Sequence, residues 1–229
     1  MALFTRVAPS ILAIDYNNKE VLDAALEDIE KAGANFVHLD VMDGKFVPNK
    51  TFDEKLVDYV KNQTTLMLDV HIMVENPEKE VDKYINAGAD LLTFHFEASK
   101  DPAKLLKYIK SKNVLAGLAI SPGTPALKIK DLLNKNLVDV VLVMGVEPGA
   151  GGQSFIPGSA EKVAEVREMD RTVYIEIDGG VNLKNSKILR KLGANILVSG
   201  SFIFSSKNMR KAINGLKGRA WITHIQSLF

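Results

Sequence analysis

Two histidines and two aspartates stand in short apolar segments where they could bind a metal ion. His38 and Asp40 are two residues apart in HLDVMDG, so in a strand their side chains point to the same face. His71 ends the segment LDVH and Asp178 ends IEID. Imidazole and carboxylate groups suit Zn²⁺, Fe²⁺, Mn²⁺ or Co²⁺. Because buried carboxylates are costly without a compensating cation, these residues together predict one divalent metal ion.

Three other polar residues are predicted to be structural. A single histidine near a strand end is more often hydrogen-bonded in the core or placed on the surface than bound to metal, and His95 and His224 are assigned to that class. Asp43 precedes Gly44 and is predicted to form the turn that follows its strand.

Three glycine-containing loops follow consecutive predicted strands and could bind a phosphate group. One loop alone is weak evidence, since tight turns also need glycine. Three in succession favour an anion site made of backbone N–H groups, at the place where TIM barrels often bind phosphate. The candidate residues are Gly149, Ala150, Gly151 and Gly152 in the first loop, Gly179 and Gly180 in the second, and Gly200 and Ser201 in the third.

Three methionines also lie at predicted strand ends beside the candidate site. Met42, Met73 and Met144 could form a soft, polarizable floor under the reacting carbons. Ordinary core packing explains the same pattern equally well.

The elements that must position these residues alternate between short apolar and longer amphipathic segments, which is typical of βα units on a parallel sheet. AGAN, AGAD and LGAN each close a helix with a glycine suited to a left-handed C-cap, and Asn76-Pro77 and Asp101-Pro102 each predict a capped helix start. Eight units in 229 residues favour an α/β fold, one closed (β/α)₈ TIM barrel, as a single domain over residues 1–229. The predicted strands are Arg6–Ile14, Phe36–Val41, Thr65–His71, Leu91–His95, Leu115–Ile120, Val138–Met144, Thr172–Asp178 and Ile196–Ser199.

Composition limits the partners. Lys plus Arg (29) nearly equals Asp plus Glu (28), so we expect a small-molecule ligand and no nucleic-acid or membrane partner. The chain has no cysteine, which excludes disulfides and thiolate ligands and fits a reducing compartment. With no signal-peptide pattern or membrane-spanning segment, we expect a cytoplasmic protein. The tail, residues 218–229, is expected to pack on the barrel exterior or at a subunit contact.

Several chemically dense motifs occur in order along the chain: PSIL, HLDVMDG, FVPN, DVHIMVENP, VEPGAGGQSF, EIDGGV and SGS. In these motifs the chain resembles the ribulose-phosphate 3-epimerases over nearly its whole length. The resemblance implies a TIM barrel of the ribulose-phosphate-binding type that epimerises a sugar phosphate, and a homo-oligomer. It also implies a metal-stabilised enediolate formed between ribulose 5-phosphate and xylulose 5-phosphate.

The same resemblance implies roles for individual residues. His38, Asp40, His71 and Asp178 match the family's metal ligands, and Asp40 and Asp178 also match its acid/base pair. The positions that match its substrate and phosphate contacts are Ser10, His71, Gly149, Ala150, Gly151, Gly152, Gly179, Gly180, Gly200 and Ser201. The chain departs from the family's usual residues at Ala150, where Phe is usual, at Lys45, where His is common, and at Asp53, where Gly is frequent. These departures bear on substrate breadth and not on the ligands.

Other functions remain open at this point. A hexulose 6-phosphate 3-epimerase, for example one acting on allulose 6-phosphate, would use the same metal and carboxylates, although the Asp178-Gly179-Gly180 form favours the pentulose enzyme. The metal-independent decarboxylases of similar fold need an Asp-x-Lys-x-x-Asp array, and Val41 and Met42 follow Asp40 with no lysine in place. A non-catalytic barrel would be expected to lack a ligand or a base, and none is lacking.

Overall fold

The computed structural model describes residues 4–218, which form a parallel eight-stranded barrel surrounded by helices. Its strands follow the order β1-β8-β7-β6-β5-β4-β3-β2, and a parallel bridge between Ser10 and His38 joins the two ends of the sheet. The fold is therefore the expected (β/α)₈ TIM barrel. The strands are β1 (Arg6–Ala8), β2 (Phe36–Met42), β3 (Met67–Met73), β4 (Leu91–His95), β5 (Leu115–Ile120), β6 (Val140–Met144), β7 (Tyr174–Asp178) and β8 (Ile196–Val198).

Helices follow the strands and cover the outside of the barrel. The predicted glycine C-cap is confirmed for three of them, since Gly33, Gly88 and Gly193 have φ values of 86°, 96° and 117°. Asp101 caps its helix by accepting from the Lys104 N–H, whereas Asn76 makes no side-chain cap bond, contrary to the prediction. The helices are α1 (Lys19–Lys31), α2 (Glu54–Lys61), α3 (Pro77–Asn86), α4 (Pro102–Ser111), α5 (Lys130–Asn134), α6 (Gly158–Met169), α7 (Leu183–Leu192), α8 (Ser201–Phe204) and α9 (Met209–Lys217).

The first strand is much shorter than the predicted Arg6–Ile14. It ends at Ala8, because Pro9 has no N–H to donate to a neighbouring strand. Ser10 then caps a 3₁₀ helix over Ile11–Ala13, with its Oγ accepting from the Leu12 N–H at 3.4 Å. The early end of β1 turns the Ser10 side chain toward the barrel mouth, where it contacts Asp40.

The other strand predictions are right in place and differ at their ends. β3 begins at Met67 and not at Thr65, because the hydroxyls of Thr64 and Thr65 both donate to Glu30 of α1. β6 and β7 each begin two residues later than predicted, whereas β2 and β3 each continue to a methionine. β8 ends at Val198, one residue before the predicted Ser199.

Side chains alternate between two apolar layers. The outward-facing residues of the strands, such as Leu39, Ile72 and Phe94, pack against the helices in one large cluster. Inside the barrel, a second cluster that includes Phe36, Leu91, Val140 and Ile196 fills the end of the barrel where the strands begin. Above that plug the inward-facing positions of β2, β3, β4 and β7 become polar, so the apolar plug supports a polar site at the opposite end.

Two further expectations concern the ends of the chain and the membrane. Within residues 4–218 the helices are all too short, or too polar, to cross a bilayer. The tail is described only to Gly218, which ends α9 in a left-handed conformation, and the predicted role of residues 219–229 lies outside the described part.

The close approach of β4 and β5 inside the barrel depends on a glycine. A methyl group on Gly117 would lie 2.0 Å from Thr93 Oγ1 and 3.0 Å from Thr93 Cα. We expect Gly117→Ala to lower the free energy of unfolding in urea by about 1–3 kcal/mol through overpacking.

The matched control is Gly158→Ala at the first position of α6, where a methyl group would meet nothing within 4 Å. This variant is expected to be neutral or up to about 1 kcal/mol more stable. Equal stability of the two variants would show that the β4 and β5 contact does not limit packing.

Candidate metal and active site

The four predicted ligands converge inside the barrel at the ends of β2, β3 and β7. Asp40 Oδ1 lies 3.2 Å from His38 Nε2 and 3.2 Å from His71 Nδ1. Asp178 Oδ2 is 4.0 Å from His38 Nε2. One donor atom from each of the four residues lies within 4.8 Å of the others, so the set fits a single ion.

A second group in the described chain, formed by His38, Asp69 and Glu176, could also hold a cation. His38 belongs to both groups, but its Nδ1 lies 2.7 Å from Asp69 Oδ2, a contact that places a proton on Nδ1 and leaves Nε2 free to bind metal. Asp69 and Glu176 are fully buried, whereas Asp40 and Asp178 line an open cavity. The first group therefore suits an exchangeable ion, and the second supports it from below.

The supporting group contains a buried carboxyl with little compensation. Within residues 4–218, both oxygens of Glu176 and Oδ1 of Asp69 lack a hydrogen-bond partner. Burial and the neighbouring Asp69 carboxylate raise the pKa of Glu176 well above its usual range, which favours the neutral form of Glu176. Its neutral form limits the negative charge beneath the candidate metal site.

Asp40 and Asp178 have opposite protonation preferences. Burial opposes ionisation of Asp40, but the charge of His38 and hydrogen bonds from His38 and His71 outweigh it, so the pKa of Asp40 lies far below its usual range. Burial, together with the negative charge of Asp40, raises the pKa of Asp178 to about 7. The metal-free site therefore presents one ionised carboxylate and one carboxyl that titrates near neutral pH, a combination suited to acid and base roles.

A cavity of about 880 Å³ opens above the two aspartates, large enough for a small phosphorylated metabolite. His38 and His71 are fully buried under it and do not line its wall. The predicted contact between His71 and the substrate therefore stays a prediction. The other predicted site residues line the cavity: Ser10, Asp40, Met42, Met73, Met144, Gly149, Ala150, Gly151, Gly152, Asp178, Gly179, Gly180, Gly200 and Ser201.

Glycines allow two of the loops to meet beside the cavity. Gly180 has φ +66°, and a Cβ there would lie 2.6 Å from the backbone N of Phe155 in the loop after β6. The loop after β6 is also tied to the loop after β2, since Asn49 Nδ2 donates to Gly149 O at 2.7 Å. Two of the three loops that carry the predicted phosphate contacts, those after β6 and β7, thus lie against one another.

Polar contacts also fix two residues at the edge of the site. Ser10 Oγ donates to Asp40 Oδ2 at 2.8 Å and holds the carboxylate on the side away from His71. Asp43 has the predicted structural role, because its Oδ1 accepts from the Lys45 and Phe46 N–H groups and its Oδ2 from the Glu75 N–H.

The sequence alone predicts no role for Asp69 or Glu176 and no partner for His95. Asp69 and Glu176 each stand two residues before a predicted ligand, and strand alternation alone places them on the same inward face. His95 is hydrogen-bonded in the core as predicted, but its partner is the candidate ligand His71, with their Nε2 atoms 2.9 Å apart. That contact depends on the spacing of neighbouring strands, which the sequence does not show.

Comparison with known proteins agrees with the resemblance seen in the motifs. Residues 6–204 match the ribulose-phosphate 3 epimerase family. The chain is 39% identical to ribulose-phosphate 3-epimerase of Bacillus subtilis (strain 168), covering 93% of this chain and 98% of that protein. It is 41% identical to the chloroplastic ribulose-5-phosphate-3-epimerase of Arabidopsis thaliana, covering 92% of this chain and 75% of that protein.

Solved structures agree on the fold alone. A mutant tryptophan synthase alpha-subunit from Pyrococcus furiosus superposes with a TM-score of 0.67 at 14% identity, covering 95% of this chain and all (100%) of that one.

The raised pKa of Asp178 predicts a pH-dependent penalty on the metal-free fold. The folded value of about 7 exceeds the value near 4 of an exposed aspartate, so stability is lost as pH rises between them. Asp178→Asn cannot ionise and avoids this loss. In urea unfolding of metal-free protein, its stability advantage over the wild type should grow by about 1 kcal/mol or more from pH 5 to pH 7. A constant or shrinking advantage would mean that Asp178 titrates normally.

Proposed function

Because this chain belongs to the ribulose-phosphate 3-epimerase family, we propose that it interconverts D-ribulose 5-phosphate and D-xylulose 5-phosphate, a reaction of the pentose phosphate pathway, using one divalent metal ion and two aspartates. The observation that carries the mechanism is the pair formed by Asp40 and Asp178. Both line the cavity, and their protonation preferences are opposite.

Epimerisation at C3 exchanges a hydrogen between the two faces of a carbon next to a ketone. One aspartate removes the C3 proton, and the electron pair of the C–H bond forms the C2–C3 double bond while the carbonyl electrons move to oxygen. The other aspartate then delivers a proton to the opposite face of C3, and the ketone forms again. The two carboxyls exchange roles in the reverse direction. Because the two sugars differ only in configuration at C3, no redox cofactor is needed.

The chain's donor set supports a metal requirement. His38 Nε2, Asp40 and Asp178 oxygens and His71 Nδ1 would hold the ion, and Asp69 would orient His38. A bound divalent cation would act as a Lewis acid and stabilise the negative charge that develops on the substrate's oxygens. Ser10 orients Asp40 through its 2.8 Å hydrogen bond and, at the cavity wall, can also face a sugar hydroxyl.

The phosphate group is proposed to bind in the glycine-rich part of the cavity. Backbone N–H groups of Gly179, Gly180, Gly200 and Ser201 can face an anion there without a charged side chain. The loop from Gly149 to Gly152 would close over the sugar, and Met42, Met73 and Met144 would form the apolar floor that excludes water from the reacting carbon.

We extend the proposal to the whole chain and its setting. Residues 1–229 are proposed to act as a single catalytic domain that assembles into a homo-oligomer in the cytoplasm. The absence of cysteine fits a reducing compartment, and one of the similar proteins is the cytoplasmic isoform from rice, Oryza sativa subsp. japonica.

One observation favours a six-carbon alternative substrate. Ala150 is exposed beside the cavity at a position where the resemblance implies that Phe is usual, so the smaller side chain leaves more room at this part of the wall. A hexulose 6-phosphate 3-epimerase would use the same two aspartates. Measuring kcat/KM with ribulose 5-phosphate and with allulose 6-phosphate separates these substrates, and we expect the pentulose to be preferred.

Replacing either aspartate tests the two-base mechanism. With ribulose 5-phosphate and added divalent metal, Asp40→Asn and Asp178→Asn are each expected to lower kcat by about 10³-fold or more, because one face of C3 loses its acid or base. Circular dichroism should show that both variants remain folded.

The matched control is Asp28→Asn on the exposed face of α1, which removes the same charge far from the cavity and should keep wild-type turnover. In deuterated water the wild-type product should carry solvent deuterium at C3. Turnover close to wild type in both cavity variants would reject the assignment of Asp40 and Asp178.

A further inference from the structure

A chain of buried polar contacts leads away from the candidate metal site through β4. His71 Nδ1 faces Asp40 Oδ1 at 3.2 Å, and His71 Nε2 lies 2.9 Å from His95 Nε2. His95 Nδ1 in turn lies 3.3 Å from Glu97 Oε2. The imidazoles of His71 and His95 are both fully buried and stacked, with ring centroids 5.0 Å apart, so bulk water does not exchange these partners.

Glu97 is held as an acceptor at the far end of the chain. Its Oε1 accepts from the Ser121 N–H at 2.8 Å and from the Thr124 hydroxyl. The nearby loop is fixed by the ammonium group of Lys162, which donates to the carbonyls of Ser121 and Pro122. Burial opposes ionisation of Glu97, but the hydrogen bonds from His95, Thr124 and Ser121 outweigh it and lower its pKa to about 2.

The direction of each hydrogen bond follows from this anchor. A carboxylate only accepts, so His95 must carry its proton on Nδ1. In the metal-bound site, where an ion would replace the proton between His71 Nδ1 and Asp40, the unprotonated Nε2 of His95 accepts from His71, which places the His71 proton on Nε2. Ser121 Oγ lies 3.5 Å from His95 Nδ1 and can donate or accept, so it does not alter this order.

We propose that Glu97 and His95 are positioning residues that fix the tautomer of His71, so that its Nδ1 lone pair faces the metal position beside Asp40. The inference rests on the proposed function in that it takes His71 as a metal ligand. It adds a chemical role for His95 and Glu97, which do not belong to the candidate ligand set.

The two histidine ligands are thereby held as opposite tautomers. Asp69 holds the proton of His38 on Nδ1, which frees Nε2, whereas His95 holds the proton of His71 on Nε2, which frees Nδ1. The two free nitrogens both lie 3.2 Å from Asp40 Oδ1, so the two supporting chains aim their ligands at one point.

Nitrogen-15 NMR of histidine-labelled wild-type protein tests this order directly. The chain has four histidines, so the imidazole signals can be assigned by single substitutions. In the zinc-loaded wild type we expect the proton on Nε2 of His71, on Nδ1 of His95 and on Nδ1 of His38. A zinc-loaded His71 with its proton on Nδ1 would overturn the proposal.

Glu97→Gln is the variant that should reverse the order. The Gln carbonyl oxygen must stay where the Ser121 N–H donates, so the NH₂ group faces His95 Nδ1 and donates to it. His95 then carries its proton on Nε2 and drives the His71 proton to Nδ1, where it blocks metal binding. Competition with a chromophoric zinc chelator should show a zinc affinity about 10- to 100-fold weaker than that of the wild type.

Glu168→Gln, on the exposed surface of α6, is the matched control and should bind zinc like the wild type. Wild-type zinc affinity in Glu97→Gln, with His95 still protonated on Nδ1, would refute the positioning role while leaving the proposed function intact. Absence of zinc binding by the wild type would instead defeat the proposed metal requirement itself. If Glu97→Gln does not fold, the wild-type NMR experiment alone decides the proposal.

Discussion

Negative charge crowded into the mouth of the barrel is the constraint on which the site depends. Asp40, Asp69, Glu176 and Asp178 lie around one imidazole, His38; Asp69 and Glu176 are fully buried, and Asp40 and Asp178 line the cavity above them. Carboxylates buried so close together cannot all stay ionised without compensation. Imidazoles compensate Asp40 and Asp69, and the raised pKa values of Glu176 and Asp178 reduce the remaining charge. A divalent cation would compensate the negative charge that the imidazoles and the raised pKa values leave.

The barrel makes this crowding stable and useful. Parallel strands put Asp40 beside His71, and His38 beside Asp69, in alternate registered pairs of β2 and β3. The apolar plug below and the helices around the strands keep these pairs rigid, which fixes imidazole tautomers through second partners and not through solvent. The same arrangement leaves Asp40 and Asp178 exposed to the cavity, where a small substrate can reach both.

Much of this arrangement could be predicted from the sequence, because alternation along a strand is a local property. The HLD and EID segments indicate which side chains share the inner face, and the glycines of AGAN, AGAD and LGAN adopt the predicted left-handed caps. The predicted end of β1 is wrong, because the apolar segment continues past Pro9 although the strand ends before the proline and a 3₁₀ helix capped by Ser10 follows. The contact between Ser10 and Asp40 depends on this early strand end, so the sequence did not predict it.

The supporting layer could not be predicted for a different reason. Whether Asp69 meets His38, or His95 meets His71, depends on strand register and on the distance between strands, and neither is written in a single sequence. Glu97 lies beyond the end of β4, where alternation no longer applies. Its place in the site follows only from the hydrogen bonds that hold its carboxylate.

Anomalous diffraction from crystals grown with zinc, measured on both sides of the zinc absorption edge, tests the shared-ion site most directly. One strong peak per chain is expected, bonded to His38 Nε2, His71 Nδ1 and the carboxylates of Asp40 and Asp178. A map with no zinc among these four side chains, or with zinc bound only elsewhere on the chain, would contradict the account.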